Sequence, residues 1–392
     1  MLKNLEAQPA DSLLALIKLH RDDPREDKID LGVGVYRTAE GRTPVFAAIK
    51  RAEQVLLETQ ESKSYLGPEG DMGFVRALMP IIFGSGDPDL SGRIGGMQTP
   101  GGTGAVRLAL ALAKKAGIKR VWMGTPSWPN HAQIVADLDL ELATFVHART
   151  DGTADFDALK NALEGSEAGD AILLHGCCHN PSGIDYNTQQ WDELARLLSD
   201  GKVLPVIDVA YQGLGQGLEQ DVYGLRRIIE AVPEALVPYS CDKNFGMYRD
   251  RVGAVYVLAN APDSLDPILS NGHALARASW SMPPDHGGAA VRVVLEDPTL
   301  TTLWQQELAD MRDRMQLIRE QLLEAGSAGA IDLAAFRHQS GLFTILPLSP
   351  SQVARLRDDH GIYMAGSGRI NVAGLTLQNI EKFIAGLTSV SG

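Results

Sequence analysis

From Pro44 to about Asp310 the chain alternates helical periodicity with short apolar runs, and this alternation constrains the fold more than any other feature. Strands joined through helices must run parallel, so the pattern predicts βα units on a mostly parallel sheet flanked by helices. The apolar runs place strands at 120–123, 171–175, 203–208, 235–240 and 252–259. Val45, Ile49, Ala52 and Leu56 share one helical face, and an Ala/Leu-rich helix carries Val106, Leu108, Leu110 and Leu112 before stopping near Gly117. Open sheets of this kind take ligands at the carboxyl ends of their strands.

Beyond Leu300 the pattern changes to a long polar-rich helix over 302–324, a short strand near 342–346, a helix over 349–360 and a terminal helix over 378–387. This is too little to fold alone. The expected organisation is a large α/β domain over 44–310 and a smaller α/β domain built from both termini, 1–43 and 311–392.

Composition removes several function classes. Lysine and arginine total 36 against 49 aspartates and glutamates, a net charge of −13 with no basic patch, which argues against nucleic acid and anionic membranes as partners. The three cysteines, Cys177, Cys178 and Cys241, include an adjacent pair, so a disulfide framework is not expected and a reducing cytoplasm is. No run of 18 apolar residues occurs, and the stretch 1–22 holds only five consecutive apolar residues, Leu13 to Ile17, behind Glu6 and Asp11, so neither a membrane span nor a signal peptide is expected.

The segment Ser240-Cys241-Asp242-Lys243-Asn244-Phe245-Gly246 directly follows an apolar strand, and Arg251 lies eight residues past the lysine. A desolvated lysine at a strand end has the lowered pKa that Schiff-base formation with a carbonyl requires, and Ser240 and Arg251 are suited to a phosphate beside it. Asp208 ends the run 203–208 and on such a sheet points into the same crevice. An ionised carboxylate there keeps a pyridine nitrogen protonated and makes the ring an electron sink, which is the protein's part in pyridoxal phosphate chemistry. Each residue alone has a plainer reading, a surface lysine and a helix N-cap.

Three further motifs converge on the crevice. Thr99-Pro100-Gly101-Gly102-Thr103-Gly104 opens a helix and offers free amides to a phosphate. It lacks the GK[ST] end of a nucleotide-binding loop, and Gly32-Val33-Gly34 is followed by Arg37 where a dinucleotide fold needs a third glycine. Trp128 lies just beyond a strand, placed to stack on an aromatic ring or to fill the core. His175-Gly176-Cys177-Cys178-His179 suggests a metal, but adjacent cysteines cannot form the usual C-x₂₋₄-C chelate and no second ligand pair follows, so no metal is expected. The Asn180-Pro181-Ser182-Gly183 turn instead presents Asn180.

The constellation resembles the class I pyridoxal phosphate aminotransferases, in particular the aspartate and aromatic amino acid group. The match spans nearly the whole chain: 31–37 near the start, Tyr65-Leu66-Gly67, the Trp128, Asn180, Asp208 and Lys243 segments in order, and 367–374 near the end. The resemblance implies a fold type I transferase in which Lys243 carries pyridoxal 5'-phosphate and acts as the base, Asp208 pairs with the ring nitrogen, and Tyr211 and Asn180 bond the ring oxygen. Trp128 stacks on the ring. Gly102, Thr103, Ser240 and Arg251 hold the phosphate with Tyr65 of the neighbouring subunit, while His131 and His175 support Asp208. Arg369 takes the substrate α-carboxylate beside Gly34, Trp128 and Asn180, and Arg277 crosses a homodimer interface to a distal carboxylate.

Two residues depart from that pattern: Asp242, where a serine or alanine is usual and a carboxylate weakens phosphate binding unless it turns away, and Met282, which replaces a small polar residue. Val35, Thr43 and Thr103 look aspartate-like, whereas Ser64 and Met282 do not. The reading is an aromatic amino acid aminotransferase with aspartate activity, running through pyridoxamine phosphate with 2-oxoglutarate and glutamate. An aspartate-specific enzyme is the alternative; a lyase or decarboxylase on the same cofactor and a non-catalytic regulator stand further off.

Overall fold

The computed structural model describes residues 2–7 and 12–392, so the leader-peptide expectation for 1–22 falls partly outside the described residues. The chain divides into two compact units, Pro44–Asp313 with His338–Gly341, and Met1–Thr43 with Arg314–Arg337 and Leu342–Gly392. The 338–341 segment joins the first unit because Gln339 bridges Ile184 and the Ser340 amide donates to the Gly183 carbonyl at 2.8 Å.

The larger unit is built on seven strands: β1 (Ile94–Pro100), β2 (Arg120–Thr125), β3 (Glu141–Val146), β4 (Asp170–His175), β5 (Val203–Asp208), β6 (Ala235–Ser240) and β7 (Val252–Leu258). Their order is β1-β7-β6-β5-β4-β2-β3. Only β7 is reversed, pairing antiparallel with both β1 and β6. All six other strands therefore end at one edge, and β7 begins there.

The α/β fold with a mostly parallel, helix-flanked sheet is thus present. Two of its strands are absent from the hydrophobic pattern for physical reasons. β1 contains Gly95 and Gly96 and has no clean alternation, while β3 is an edge strand in which Phe145 alone is buried.

The helix Gly101–Lys115 is buried nearly all round, with Ala105, Val106, Leu108, Leu110 and Leu112 in one core cluster with Val121, Met123, Leu173, Val206 and Leu236 of the sheet. The helix Ala47–Thr59 buries Ala48, Ile49 and Ala52, whereas Val45 lies ahead of it and is 53% exposed; Phe46, buried just before the first turn, takes the place expected of Val45. The long helix starts at Pro298, four residues before its expected start, because Asp297 caps it by accepting the Thr299 and Leu300 amides at 2.7 and 3.1 Å.

The smaller unit has its own core, in which Leu31, Leu322, Leu333, Leu356, Ile370 and Phe383 are fully buried. Besides the expected strand, now Phe343–Ile345, it contains Ile29–Asp30 paired with Ile362–Tyr363, the hairpin Ser327–Ala328 with Ile331–Asp332, and Arg369–Asn371. None of these exceeds three residues, too short for alternation to register. A Ser349–Gln352 capping box and Gly361 at φ 68° bound the helix Pro350–His360, and the terminal helix runs Ile380–Ser391.

Leu110 is fully buried between helix and sheet. Leu110→Ala should lower unfolding stability by about 2–5 kcal/mol, read as a shift of the urea midpoint; an unchanged midpoint would place this helix outside the core.

Candidate active site

The shared strand edge collects the chemistry. His175 ends β4 in register with Asp208 at the end of β5, Ser240 ends β6 opposite Gly253, and Pro100 ends β1 opposite Val252. Lys243 follows Ser240 by three residues and Arg251 immediately precedes β7, so both loops emerge at the same edge.

Lys243 is only partly buried as a residue, yet its ammonium lies 5.0 Å from the centre of the Tyr211 ring. Burial lowers its pKa; the Asp242 and Asp208 carboxylates oppose that shift and Arg251 reinforces it. The loop that carries it is rigidly held. Asn244 is fully buried, donates to Tyr239 Oη at 2.9 Å and accepts from Trp304 Nε1 at 2.7 Å, and Phe245 stacks on Trp304 with ring centres 4.3 Å apart.

Asp208 is buried, and its Oδ2 is 2.9 Å from His131 Nε2. The direction of the hydrogen bonds follows from the far end of the chain. The Asn180 amide donates to His175 Nδ1 at 3.5 Å, and burial, reinforced by His131, keeps His175 neutral. The hydrogen of His175 is therefore on Nε2, which donates to Ser127 Oγ at 3.0 Å. Having accepted there, the hydroxyl donates to His131 Nδ1 at 3.0 Å, which leaves His131 Nε2–H to donate to Asp208. Asp208 Oδ1 is buried and has no hydrogen-bond partner among the described residues. Asn180 shares that condition at Oδ1 and donates from Nδ2 to Tyr211 Oη at 3.3 Å.

A cup lies beside the lysine. Gly101, at φ 68°, begins the buried helix, and a Cβ on Gly102 would fall 2.8 Å from Ser240 Cβ, so only glycine leaves that space open. The first-turn amides, Ser240 and Arg251 frame the cup, and Thr103, half-buried, lies on the same turn. Asp242 does not turn away: its Oδ2 is 2.5 Å from Arg251 Nη1. The residues fit pyridoxal phosphate. A pyridinium N–H would give Asp208 Oδ1 the donor it lacks, the cup suits a phosphate, and the amine of Lys243 is desolvated.

The remaining candidates are distributed more widely. Trp128 is half-buried, packs on the main core and meets His131 edge-on at 5.0 Å. In the smaller unit, Arg369 donates to the Gly32 carbonyl at 2.9 Å and lies 4.6 Å over the Phe343 ring, which also closes in on Gly34. Tyr65 is 94% exposed, and Arg277, also exposed, reaches Ser281 Oγ at 2.5 Å. Met282 accepts from the Leu66 amide through its sulfur at 3.0 Å.

The thiols of Cys177 and Cys178 and the carboxylate of Asp221 do lie within 4.8 Å of one another, a proximity that spacing did not indicate. The carboxylate is engaged by the amides of Gly213, Gly215 and Gln216, and both thiol pKa values are raised, that of Cys177 by its contact with Cys178 and by burial and that of Cys178 by burial against the Cys177 contact, which disfavours thiolate ligands. Ser127 is a site residue that the sequence marks only by its position four residues before His131, just ahead of a helix.

The family model described as aminotransferase class I and II matches residues 26–387. A tyrosine aminotransferase of Rhizobium meliloti strain 1021 is 48% identical over 391 residues, covering 100% of both chains. An aspartate aminotransferase of Escherichia coli K12 is 42% identical, again with 100% of each chain covered. Among solved structures, an aromatic-amino-acid aminotransferase from Burkholderia pseudomallei covalently bound to pyridoxal phosphate superposes with a TM-score of 0.96 at 32% identity over 100% of both chains.

Ser127→Ala leaves two buried ring nitrogens, His131 Nδ1 and His175 Nε2, without their shared partner. The expected loss is about 1–3 kcal/mol of stability, together with lower turnover as His131 loses its fixed tautomer. Stability and turnover both at wild-type level would contradict the ordered chain.

Proposed function

The chain belongs to the class I and II aminotransferase family, and from that premise we propose that it moves amino groups from aromatic amino acids, and from aspartate, to 2-oxoglutarate. It is a pyridoxal-phosphate-dependent transaminase. The observation that carries the site assignment is the pairing, along one strand edge, of a desolvated Lys243 with an Asp208 whose buried Oδ1 has no partner among the described residues.

When bound, pyridoxal phosphate supplies a protonated ring, conjugated to an aldehyde carbon that condenses with amines, that draws off the electrons of a broken Cα–H bond. Lys243 does the proton work. Burial lowers its pKa, which makes its proton easier to give up, and Nζ would take a proton from the substrate Cα and return it. Asp208, held by His131, would set a carboxylate against the ring nitrogen, and Tyr211 and Asn180, bonded to each other, would bond the ring oxygen. Gly102, Thr103, Ser240 and Arg251 would retain the phosphate, and Trp128 would cover a ring face.

Arg369 provides the planar fork for the α-carboxylate, beside Gly34, and Phe343 under its guanidinium steadies it. The assembly we propose is a homodimer to which Tyr65 and Arg277 contribute across the interface; an aromatic side chain 94% exposed on one chain supports that role. Three buried free cysteines support a cytoplasmic setting, and no helix among the described residues is long and apolar enough to cross a membrane.

Given an amino donor and no oxo acid, the holoenzyme should convert stoichiometrically to the pyridoxamine form with aspartate and with phenylalanine or tyrosine, followed by absorbance. No conversion with either aromatic substrate would leave the aspartate-specific reading. Conversion with none, alongside release of carbon dioxide or an eliminated group, would indicate a decarboxylase or lyase.

Arg277 weighs the two substrates differently, because only the dicarboxylate offers it a partner. Arg277→Leu should reduce kcat/KM for aspartate by about 3–5 kcal/mol of transition-state stabilisation and leave the phenylalanine half-reaction nearly unchanged. Equal losses would make the arginine structural.

A further inference from the structure

Asp242 places a negative charge at the cup. The point where a Cβ on Gly101 would stand is 2.6 Å from Arg251 Nη2 and 3.2 Å from Asp242 Oδ2. The carboxylate therefore already lies beside the first residue of the Gly101–Lys115 helix, whose free amides and dipole favour an anion. Asp242 is 4% exposed, is tied to Arg251 through Oδ2, and has a buried Oδ1 with no hydrogen-bond partner among the described residues. Burial raises its pKa, while Lys243, Arg251 and the Val252 backbone oppose the shift.

We propose that Asp242 is an internal anion that competes with the cofactor's phosphate for Arg251 and the helix N-terminus, so that the chain holds a phosphate ester less tightly than the same cup without this carboxylate. The proposal rests on the assignment of the phosphate to Gly102, Thr103, Ser240 and Arg251. Two effects of Asp242 oppose each other. The ion pair orders Arg251 before the phosphate arrives, sparing the rotamer freedom of one side chain. The carboxylate also stands against a dianion at short range with little water between, and this repulsion is the larger effect. The consequence is a cofactor that exchanges with the free pool more readily than the remaining phosphate contacts would allow. Asp242 is thus a positioning residue for Arg251 and a limit on cofactor retention.

The test uses the full chain freed of cofactor, titrated separately with pyridoxal 5'-phosphate, pyridoxal and inorganic phosphate, with binding read from tryptophan fluorescence. Asp242→Asn keeps the shape and removes the charge; Asp242→Ser gives the same test should the first variant not fold. Either variant should bind pyridoxal phosphate and inorganic phosphate about 10- to 100-fold more tightly than the wild type, with pyridoxal unchanged. Equal or weaker binding of both phosphate ligands would overturn the proposal, as would an equal gain for pyridoxal. A wild-type chain that binds pyridoxal phosphate no more tightly than pyridoxal would overturn the phosphate assignment itself, and the proposal with it.

Discussion

A buried carboxylate with one oxygen bonded and the other unpartnered is the constraint on which the rest of this site depends. Asp208 is buried, and His131 donates to it. That donation in turn depends on Ser127, on His175 and finally on the Asn180 backbone amide. The chain of bonds crosses from the loop after β4 to the helix after β2 and back to the end of β5. It closes because His175 and Asp208 stand side by side in the sheet register. A slip of one residue between these strands would turn one of the two side chains to the other face and break it.

The lysine sits in a balance of burial against charge. Desolvation lowers the pKa of Lys243, while two carboxylates, Asp242 and Asp208, oppose it. Both carboxylates are engaged elsewhere, one by Arg251 and the other by His131, which limits how far they can hold the ammonium charged. The result suits a group that must be a neutral base in the turnover and an amine bound to cofactor at rest.

Much of this was legible in the sequence because the chemistry follows the fold's simplest rule. Five strands read from apolar runs were close to their observed bounds, and in a parallel sheet each strand end points a residue such as Asp208, Ser240 or His175 to one edge. What was not legible depends on contacts between distant segments. β3 shows too little burial to stand out, and β1 carries two glycines. Ser127 is an ordinary serine until two histidines converge on it. The Asp242–Arg251 pair needs the loop to bring residues nine apart together, and Arg251 adopts φ 56° to do so. The proximity of Cys177 and Cys178 to Asp221 likewise arises from the turn after β5.

The most direct measurement is a crystal structure of the full chain with pyridoxal 5'-phosphate. The account predicts continuous density from Lys243 Nζ to the cofactor's aldehyde carbon, the ring nitrogen within hydrogen-bond distance of Asp208 Oδ1, and the phosphate among Gly102, Ser240 and Arg251. Attachment at another lysine, or a ring nitrogen directed away from Asp208, would contradict it.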